Sequence, residues 1–412
     1  MNKTGSNFRR FLLLWTGALI SSIGSGLTSF GLGVYVFNTT GSAASMALVT
    51  LLGFIPTILL SVPAGVLADR YDRRLLMMIG DGFSAMGIIF ILICMLFGEA
   101  SLLEICIGVF VSASFSALLE PSYKATITDV LTKEEYSKAN GLVSLAGSAR
   151  YLFSPVIAGF LLGVSDVKLL LIIDISTFFV TLISVAVVRK DIGSSDPVKV
   201  ESFSESIKEG WRALCIKRGI LLLVAISSGV TLSMGMFQIL AEPLILSFSD
   251  AKTLGVSETV CACGMLVSGI VLGIKGLKKH YVKMLAFSLS LAGIFMVGFG
   301  AKENIVLICT FGFLFFAALP VANNCLDYLT RTNIPDQLQG RAWGMIGLLS
   351  QLGYVLAYAV SGVSADTIGR IRGIGVGRGA ATVIQIAGVI LAIVALMILK
   401  PKSIRQLESI NI

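Results

Sequence analysis

Among the ionisable side chains that lie within, or close to the end of, long apolar runs of this sequence, five are candidates for chemistry. They are four carboxylates and one guanidinium: Asp81, Glu120, Arg150, Asp174 and Glu242. A charge removed from water is costly unless it is paired or neutralised. A carboxylate in such a run can bind and release a proton, whereas an arginine there needs a counter-charge. These residue types therefore indicate proton or ion binding.

Glu242 belongs to a polar stripe with Thr231, Gly235 and Gln238, which fall on one face of a helix. This face makes Glu242, with Gln238 beside it, the first candidate for binding a proton or a polar ligand. A rise of about 1.5 Å per residue places Glu242 in the outer part of its helix. The alternative is a carboxylate at the rim that serves only solvation.

Asp174 heads a second stripe, which continues with Thr177, Thr181 and Ser184. We expect this helix to lie at the periphery, where such a stripe favours hydrogen bonds between helices over a binding site. Asp174 is kept as a further candidate.

Arg150 and Glu120 complete the set. Arg150 lies about twelve residues into its apolar run and needs a counter-charge, for which Asp81, Glu120 or a substrate anion are candidates. A buried structural ion pair is favoured over a role in ligand binding. Glu120 precedes Pro121, so it could cap a helix, join an ion pair at the inner end of its span or meet a ligand.

The elements that carry these residues are membrane-spanning helices. The chain has 412 residues, of which 55% are hydrophobic and 14% charged, and its mean hydropathy is +0.90. Apolar runs of roughly 20 residues, enough to cross a bilayer, recur throughout. The predicted fold is an all-α membrane protein with twelve transmembrane helices, near 11–37, 44–68, 75–97, 102–121, 139–163, 168–188, 219–246, 254–274, 281–300, 304–325, 342–365 and 377–399.

The distribution of Lys and Arg predicts that both termini are cytoplasmic. With this orientation, 25 of the 32 basic residues fall in cytoplasmic segments, six fall in outer loops, and Arg150 lies inside span 5. The net charge of +8 is thus explained by topology and by contact with anionic membrane lipids. A nucleic-acid partner is not expected.

The spans form two groups of six, predicted as six-helix bundles at 1–188 and 219–412. The polar segment 189–218 between them contains twelve charged residues. The halves also resemble each other at an offset of 203 residues, which aligns Gly159 with Gly362 and Ala139-Asn140-Gly141 with Ala342-Trp343-Gly344. Such a parallel repeat predicts a substrate path between two related bundles.

The segment 189–218 also contains an amphipathic pattern. Ser202 and Glu205 have the spacing of a capping box, and apolar residues recur at helical spacing: Phe203, Ile207, Trp211 and Leu214. We expect a short helix on the inner membrane surface, with a flexible linker as the alternative.

The charged segment GVLADRYDRR joins spans 2 and 3 and resembles the loop signature of the major facilitator superfamily. The resemblance implies that the segment belongs to the alternating-access machinery. Gly65 is expected to allow close helix approach. Asp69, at the unfavourable end of a helix dipole, is expected to form a latch with the start of span 11, near Arg341 and Trp343. We assign the gating motif to Gly65, Asp69, Arg70, Arg73, Arg74 and Asp81, although the arginines could serve only topology.

Further segments look like the drug-exporting branch that includes the macrolide efflux proteins. They are the opening FLLLWTGALISSIGSGLTSFGLGVYVFNTTGSA, the connection EPSYKATITDVLTKEE and SPVIAG in span 5. The last is similar to an antiporter signature, with Ser154 where glycine is usual. Many members carry an arginine important for proton coupling in helix 4, where this chain has Ser112.

The resemblance implies a secondary active transporter that exports an amphipathic small molecule, such as a macrolide-like drug, by proton antiport. Such a protein would be a monomer in a bacterial inner membrane and would confer antibiotic resistance. The alternatives are an exporter or flippase of a lipid-like molecule, a siderophore or a self-made peptide.

Other energy sources and chemistries are not favoured by the sequence. It has no GxxxxGK[ST] loop for ATP. With His280 as its one histidine, in a loop, no catalytic triad or metal cluster can be assembled. A membrane enzyme is therefore less favoured, and we expect no cofactor and no metal.

Overall fold

The computed structural model describes residues 7–191, 203–215, 217–277, 279–335 and 338–409. These residues form α-helices, short connections and one 3-10 turn, and no strand occurs among them. Twelve helical segments within these ranges are long and apolar enough to cross a membrane. The predicted all-α membrane fold is confirmed.

The first half contains six spans, and its fourth span is made of two helices separated by a turn. The helices are α1 (Phe8–Thr40), α2 (Ala43–Arg70), α3 (Arg73–Phe97), α4 (Leu102–Ser116), α5 (Leu119–Val130), α6 (Tyr136–Leu162) and α7 (Val167–Asp191). The predicted end of span 4, at residue 121, was too early. Pro121 lies in the first turn of α5, where proline is tolerated, and the polar residues after it continue the helix.

The second half begins with a short amphipathic helix and contains the other six spans. Its helices are α8 (Phe203–Cys215), α9 (Arg218–Leu246), α10 (Ala251–Lys275), α11 (Tyr281–Phe299), α12 (Ile305–Arg331), α13 (Gln339–Arg372), α14 (Gly375–Met397) and α15 (Lys402–Ser409). Several helices begin at side-chain caps, among them Asp250 before α10 and Asn304 before α12.

The chain divides into two compact units, Met1–Thr39 with Leu48–Val200, and Thr40–Ala47 with Glu201–Ile412. The boundaries predicted at 189–218 stay a prediction. Each unit contains the same kind of bond between its first and fifth spans. Ser22 Oγ donates to Ala146 O, and Ser228 Oγ donates to Leu349 O. The two acceptors lie 203 residues apart, the offset of the repeat predicted from the sequence.

In the first unit, α1 and α7 meet along small residues. A Cβ built at Gly24 would lie 2.4 Å from Thr177 Oγ1, and one at Gly17 would lie 3.0 Å from Ser184 Oγ. Since neither site has room for a larger side chain, the two backbones can approach closely, as glycines allow in membrane helices.

Helix α8 packs on the start of α13 in the second unit. A Cβ on Gly210 would lie 2.8 Å from Arg341 O, and Leu214 is fully buried in a cluster that includes Ala342. The predicted helix is confirmed at Phe203–Cys215, and its expected place on the inner membrane surface stays a prediction. Trp211 is half exposed, and the predicted cap at Ser202 lies outside the described residues.

Candidate functional site

The charged hinge between α2 and α3 is held by ion pairs within the first unit. Asp72 caps α3 by accepting a hydrogen bond from Arg74 N at 3.0 Å. Its other carboxylate oxygen lies 2.8 Å from Arg189 Nε, at the end of α7. The start of α3 is thereby fixed both to its own cap and to a neighbouring span.

Arg73 fixes the hinge to the end of α5. Its Nη1 lies 2.7 Å from Asp129 Oδ1 and also donates to Ala125 O, and its Nε donates to Ala68 O. The buried Arg74 approaches the other oxygen of Asp129 at 3.9 Å. Asp129 was missed from the sequence because it lies in a polar segment outside the predicted spans, with nothing local to indicate its partners.

Other residues assigned to the gating motif stand apart from these pairs. Asp69 and Arg70 are exposed. A Cβ at Gly65 would meet no described heavy atom within 4 Å, and the close helix approach expected there stays a prediction. Arg341, the expected partner region of Asp69, forms an ion pair with Glu209 of α8. The latch itself stays a prediction.

Asp81 was predicted to join the hinge network, but the structure places it elsewhere. It is buried in α3, its Oδ2 has no hydrogen-bond partner in the described part of the chain, and its electrostatic neighbour is Asp174 of α7. One turn further along α3, Ser84 Oγ lies 2.8 Å from the hydroxyls of both Ser112 and Ser116. Ser112, where the family resemblance leads us to expect an arginine, therefore belongs to a neutral hydroxyl cluster.

The Asp174 stripe is a contact between helices, as predicted. Asp174, Thr177, Thr181 and Ser184 are all buried. Thr181 Oγ1 donates to Gly17 O at 3.3 Å.

Arg150 has a different partner from those suggested by the sequence. Its Nη2 donates to Ser29 Oγ at 3.0 Å, and the guanidinium interacts electrostatically with Asp174. Glu120 is not this partner, because it is exposed on α5 and pairs with Lys124 at 2.6 Å.

On α6, the side chains next to Arg150 form an exposed polar face. Ser144, Ser148 and Tyr151 are exposed, and Arg150 is partly exposed. A polar face at membrane depth is costly against lipid, so it indicates a surface that faces water or protein.

In the second unit, the stripe that leads to Glu242 is largely engaged by α13. Thr231 Oγ1 donates to Ser350 O at 2.6 Å, and Tyr358 Oη donates to Gln238 Oε1 at 3.3 Å. A Cβ at Gly235 would lie 2.7 Å from Ala357 Cβ. This stripe therefore packs against α13. The sequence suggested that the stripe is an open polar face, and that prediction is wrong for most of its length.

Glu242 has a carboxylate neighbour. It is partly buried, on the turn before the end of α9, and it interacts electrostatically with Glu258 of α10, which is also partly buried. Two carboxylates that interact at membrane depth cannot both carry a charge cheaply. Glu258 was missed because a single glutamate in span 8 has no polar stripe that would distinguish it.

Comparisons with known proteins agree with this architecture. The sequence model of the Major Facilitator Superfamily matches residues 14–358. The chain belongs to this superfamily. It is therefore a multi-pass membrane transporter and not an enzyme.

Among its relatives, macrolide efflux protein A of Streptococcus pyogenes is 26% identical over 377 residues, which cover 87% of this chain and 90% of the relative. The multidrug efflux pump Tap of Mycolicibacterium fortuitum is 22% identical over 376 residues, with the same coverage of each. The crystal structure of a bacterial homologue of the iron transporter ferroportin, in its inward-facing state, has a TM-score of 0.76 at 13% identity. The structural match covers 96% of this chain and 100% of the ferroportin homologue, and this likeness shows the fold.

Among the described residues, no group of three or more His, Cys, Asp or Glu side chains is arranged to hold a metal ion.

Proposed function

We propose that this transporter exports an amphipathic small molecule of the macrolide type by proton antiport through alternating access, with Glu242 as the proton carrier. The observation that supports the proton step most directly is the interaction between Glu242 and Glu258 in the second unit. One proton bound by the pair would remove one of its two negative charges. Its release would restore the repulsion, so proton binding can bias a conformational equilibrium.

The exposed polar face of α6 supports a path for the substrate. Ser144, Ser148 and Tyr151 offer hydroxyl groups, and Arg150 offers a positive charge. The identity of the substrate is proposed from macrolide efflux protein A and the pump Tap. We further propose that both termini face the cytoplasm of a bacterial cell and that the transporter works as a monomer.

The test is uptake of a labelled macrolide into inside-out vesicles, with a proton gradient and again with a protonophore. We expect gradient-driven uptake by the wild type and its loss in Glu242→Gln and Glu258→Gln. Glu303→Gln is the matched control, because Glu303 lies in the connection between α11 and α12, with its side chain 40% exposed. Its uptake should equal that of the wild type.

Two results would contradict parts of the proposal. Gradient-driven uptake that survives both substitutions would remove the carboxylate pair from proton coupling and keep the exporter. Wild-type vesicles that accumulate no macrolide would exclude that substrate class, and lipid-like molecules, siderophores and self-made peptides would be tested next in the same vesicles.

A further inference from the structure

A group of oxygen atoms surrounds Asp174 at the contact between α1 and α7. We call this group the Asp174 cluster, formed by the Asp174 carboxylate and the hydroxyls of Ser25, Thr28 and Thr177. Ser25 Oγ lies 3.4 Å and Thr177 Oγ1 lies 3.5 Å from Asp174 Oδ1. Asp174 is 1% exposed and Thr28 is 5% exposed. Space for these oxygens depends on Gly24, because a Cβ there would lie 2.4 Å from Thr177 Oγ1 and 2.9 Å from Asp174 Oδ1.

Among the described residues of the cluster, the Ser25 hydroxyl donates a long hydrogen bond to the Asp174 carboxylate, at 3.4 Å. The Thr177 hydroxyl has a single hydrogen, and the shorter bond, to Asp174 O at 2.7 Å, uses it. Its lone pairs therefore face the carboxylate at 3.5 Å. Thr28 Oγ1 lies against the same carboxyl, yet it is buried without a well-formed hydrogen bond to any described residue. A buried polar atom without a hydrogen-bond partner is costly, so this oxygen is available to bind a cation.

The spacing of the oxygens suits a bound cation better than direct hydrogen bonds. Hydroxyl groups that donate to oxygen usually lie at about 2.5–3.0 Å from the acceptor. A hard cation of the size of Ca²⁺ or Na⁺ takes oxygen ligands at about 2.3–2.6 Å, so neighbouring ligands at right angles lie about 3.3–3.7 Å apart. The distances of 3.4 and 3.5 Å in the cluster fall within this range.

The charges around the cluster select the valence of the cation. Asp174 interacts electrostatically with Asp81 of α3 and with Arg150 of α6. With both carboxylates ionised, these three groups carry a net charge of −1. One monovalent cation makes the group neutral, whereas a divalent cation would leave an uncompensated positive charge at membrane depth.

We propose that the Asp174 cluster is a Na⁺ site, with ligands from the Asp174 carboxylate and the hydroxyls of Ser25, Thr28 and Thr177. Asp81 and Arg150 set the charge of the site without contributing ligands. The bound ion joins α1 to α7 within the first unit. This site is independent of the exported substrate and of Glu242, so its failure would leave the proposed function unaffected.

The test is equilibrium binding of ²²Na⁺ to the purified full chain in lipid nanodiscs at pH 8, with choline replacing sodium to hold the ionic strength. We expect saturable binding of one ion per chain. Thr177→Val should weaken it by roughly tenfold or more, Thr177→Ser should bind as the wild type does, and Asp174→Asn should abolish it. Ser176→Ala is the matched control, because Ser176 lies on the same helix, is exposed and donates to Ile172 O.

Three outcomes would overturn the site. The first is the absence of saturable ²²Na⁺ binding to the folded wild type. The second is equal binding by the Thr177→Val and Thr177→Ser chains, a comparison that remains decisive if Asp174→Asn does not fold. The third is a melting temperature that changes between pH 6 and pH 8.5 yet is the same in sodium and in choline. That result would mean that the cluster binds a proton and does not bind Na⁺.

Discussion

The ion pair between Arg73 and Asp129 should stabilise the first unit measurably. The side chains are only 15% and 18% exposed, and the Nη1–Oδ1 distance is 2.7 Å. A hydrogen bond to a charged group contributes about 1.5–3 kcal/mol, so we expect a coupling energy of about 2 kcal/mol. The pair Lys124–Glu120 on α5 is the control. Its side chains are 65% and 76% exposed, and exposed pairs at this helical spacing contribute about 0.3–0.5 kcal/mol.

The assay is a double-mutant cycle for each pair, with Arg73→Gln and Asp129→Asn in one cycle and Lys124→Gln and Glu120→Gln in the other. The free energy of unfolding is measured by denaturant titration in mixed micelles. Because the bonds from Arg73 to backbone carbonyls remain in the Asp129→Asn chain, the cycle isolates the interaction between the two side chains. A coupling energy no larger than that of the control pair would refute the argument.

Three further perturbations test the packing and the caps. Gly388→Ala should lower the melting temperature because its Cβ would lie 2.6 Å from a backbone oxygen of α11, whereas Gly82→Ala, with open space, should not. Hydrogen bonds from the first turn of α10 lower the pKa of Asp250 below its ordinary value of 3.8. Asp250 has a lower pKa in the folded chain than in the unfolded chain, so its ionised carboxylate stabilises the fold. This stabilisation is complete above the pKa of the unfolded state and is lost as the pH falls through the pKa of the folded state. Asp250→Ala should therefore cost about 1 kcal/mol of unfolding free energy at pH 6 and less at pH 3. Leu214→Ala should cost about 2–5 kcal/mol, and Trp211→Ala much less, because Leu214 is fully buried and Trp211 is half exposed; equal losses would contradict the docking of α8.

The sequence predicts the spans because hydrophobicity is a local property of the chain. It also identifies the hinge, since GVLADRYDRR interrupts two apolar runs. The partners within the site were much harder to predict. Arg73 and Asp129 lie 56 residues apart, and Glu242 and Glu258 lie on different spans. Such pairs depend on which helix faces meet, and no periodicity within a single helix contains that information.

The polar stripes also show that the residues on a helix face can be predicted while the partner of that face cannot. Thr231 and Gln238 were assigned correctly to one face of α9, but that face contacts Ser350 and Tyr358 of α13. In a membrane helix, hydroxyl and amide groups stabilise contacts between helices as readily as they line a path. A stripe alone therefore predicts a buried polar contact, and only the neighbouring helix decides what that contact does.

Equivalent positions in the two halves help to distinguish residues that hold the helices together from residues that bind a ligand. In both units a serine of the first span donates to a backbone oxygen of the fifth span; the acceptors Ala146 and Leu349 match at the offset of the repeat, and the donors Ser22 and Ser228 lie one turn off it, so this kind of bond holds the two spans together in each unit. Arg150, by contrast, aligns at the same offset with a glycine, at residue 353, where a Cβ would lie 2.2 Å from a side-chain oxygen of α9. The second half therefore has no room for an arginine at this position. A charge that is found in the first half and that the second half has no room for is not required by the repeat, which favours the proposed role of Arg150 in ion or substrate binding.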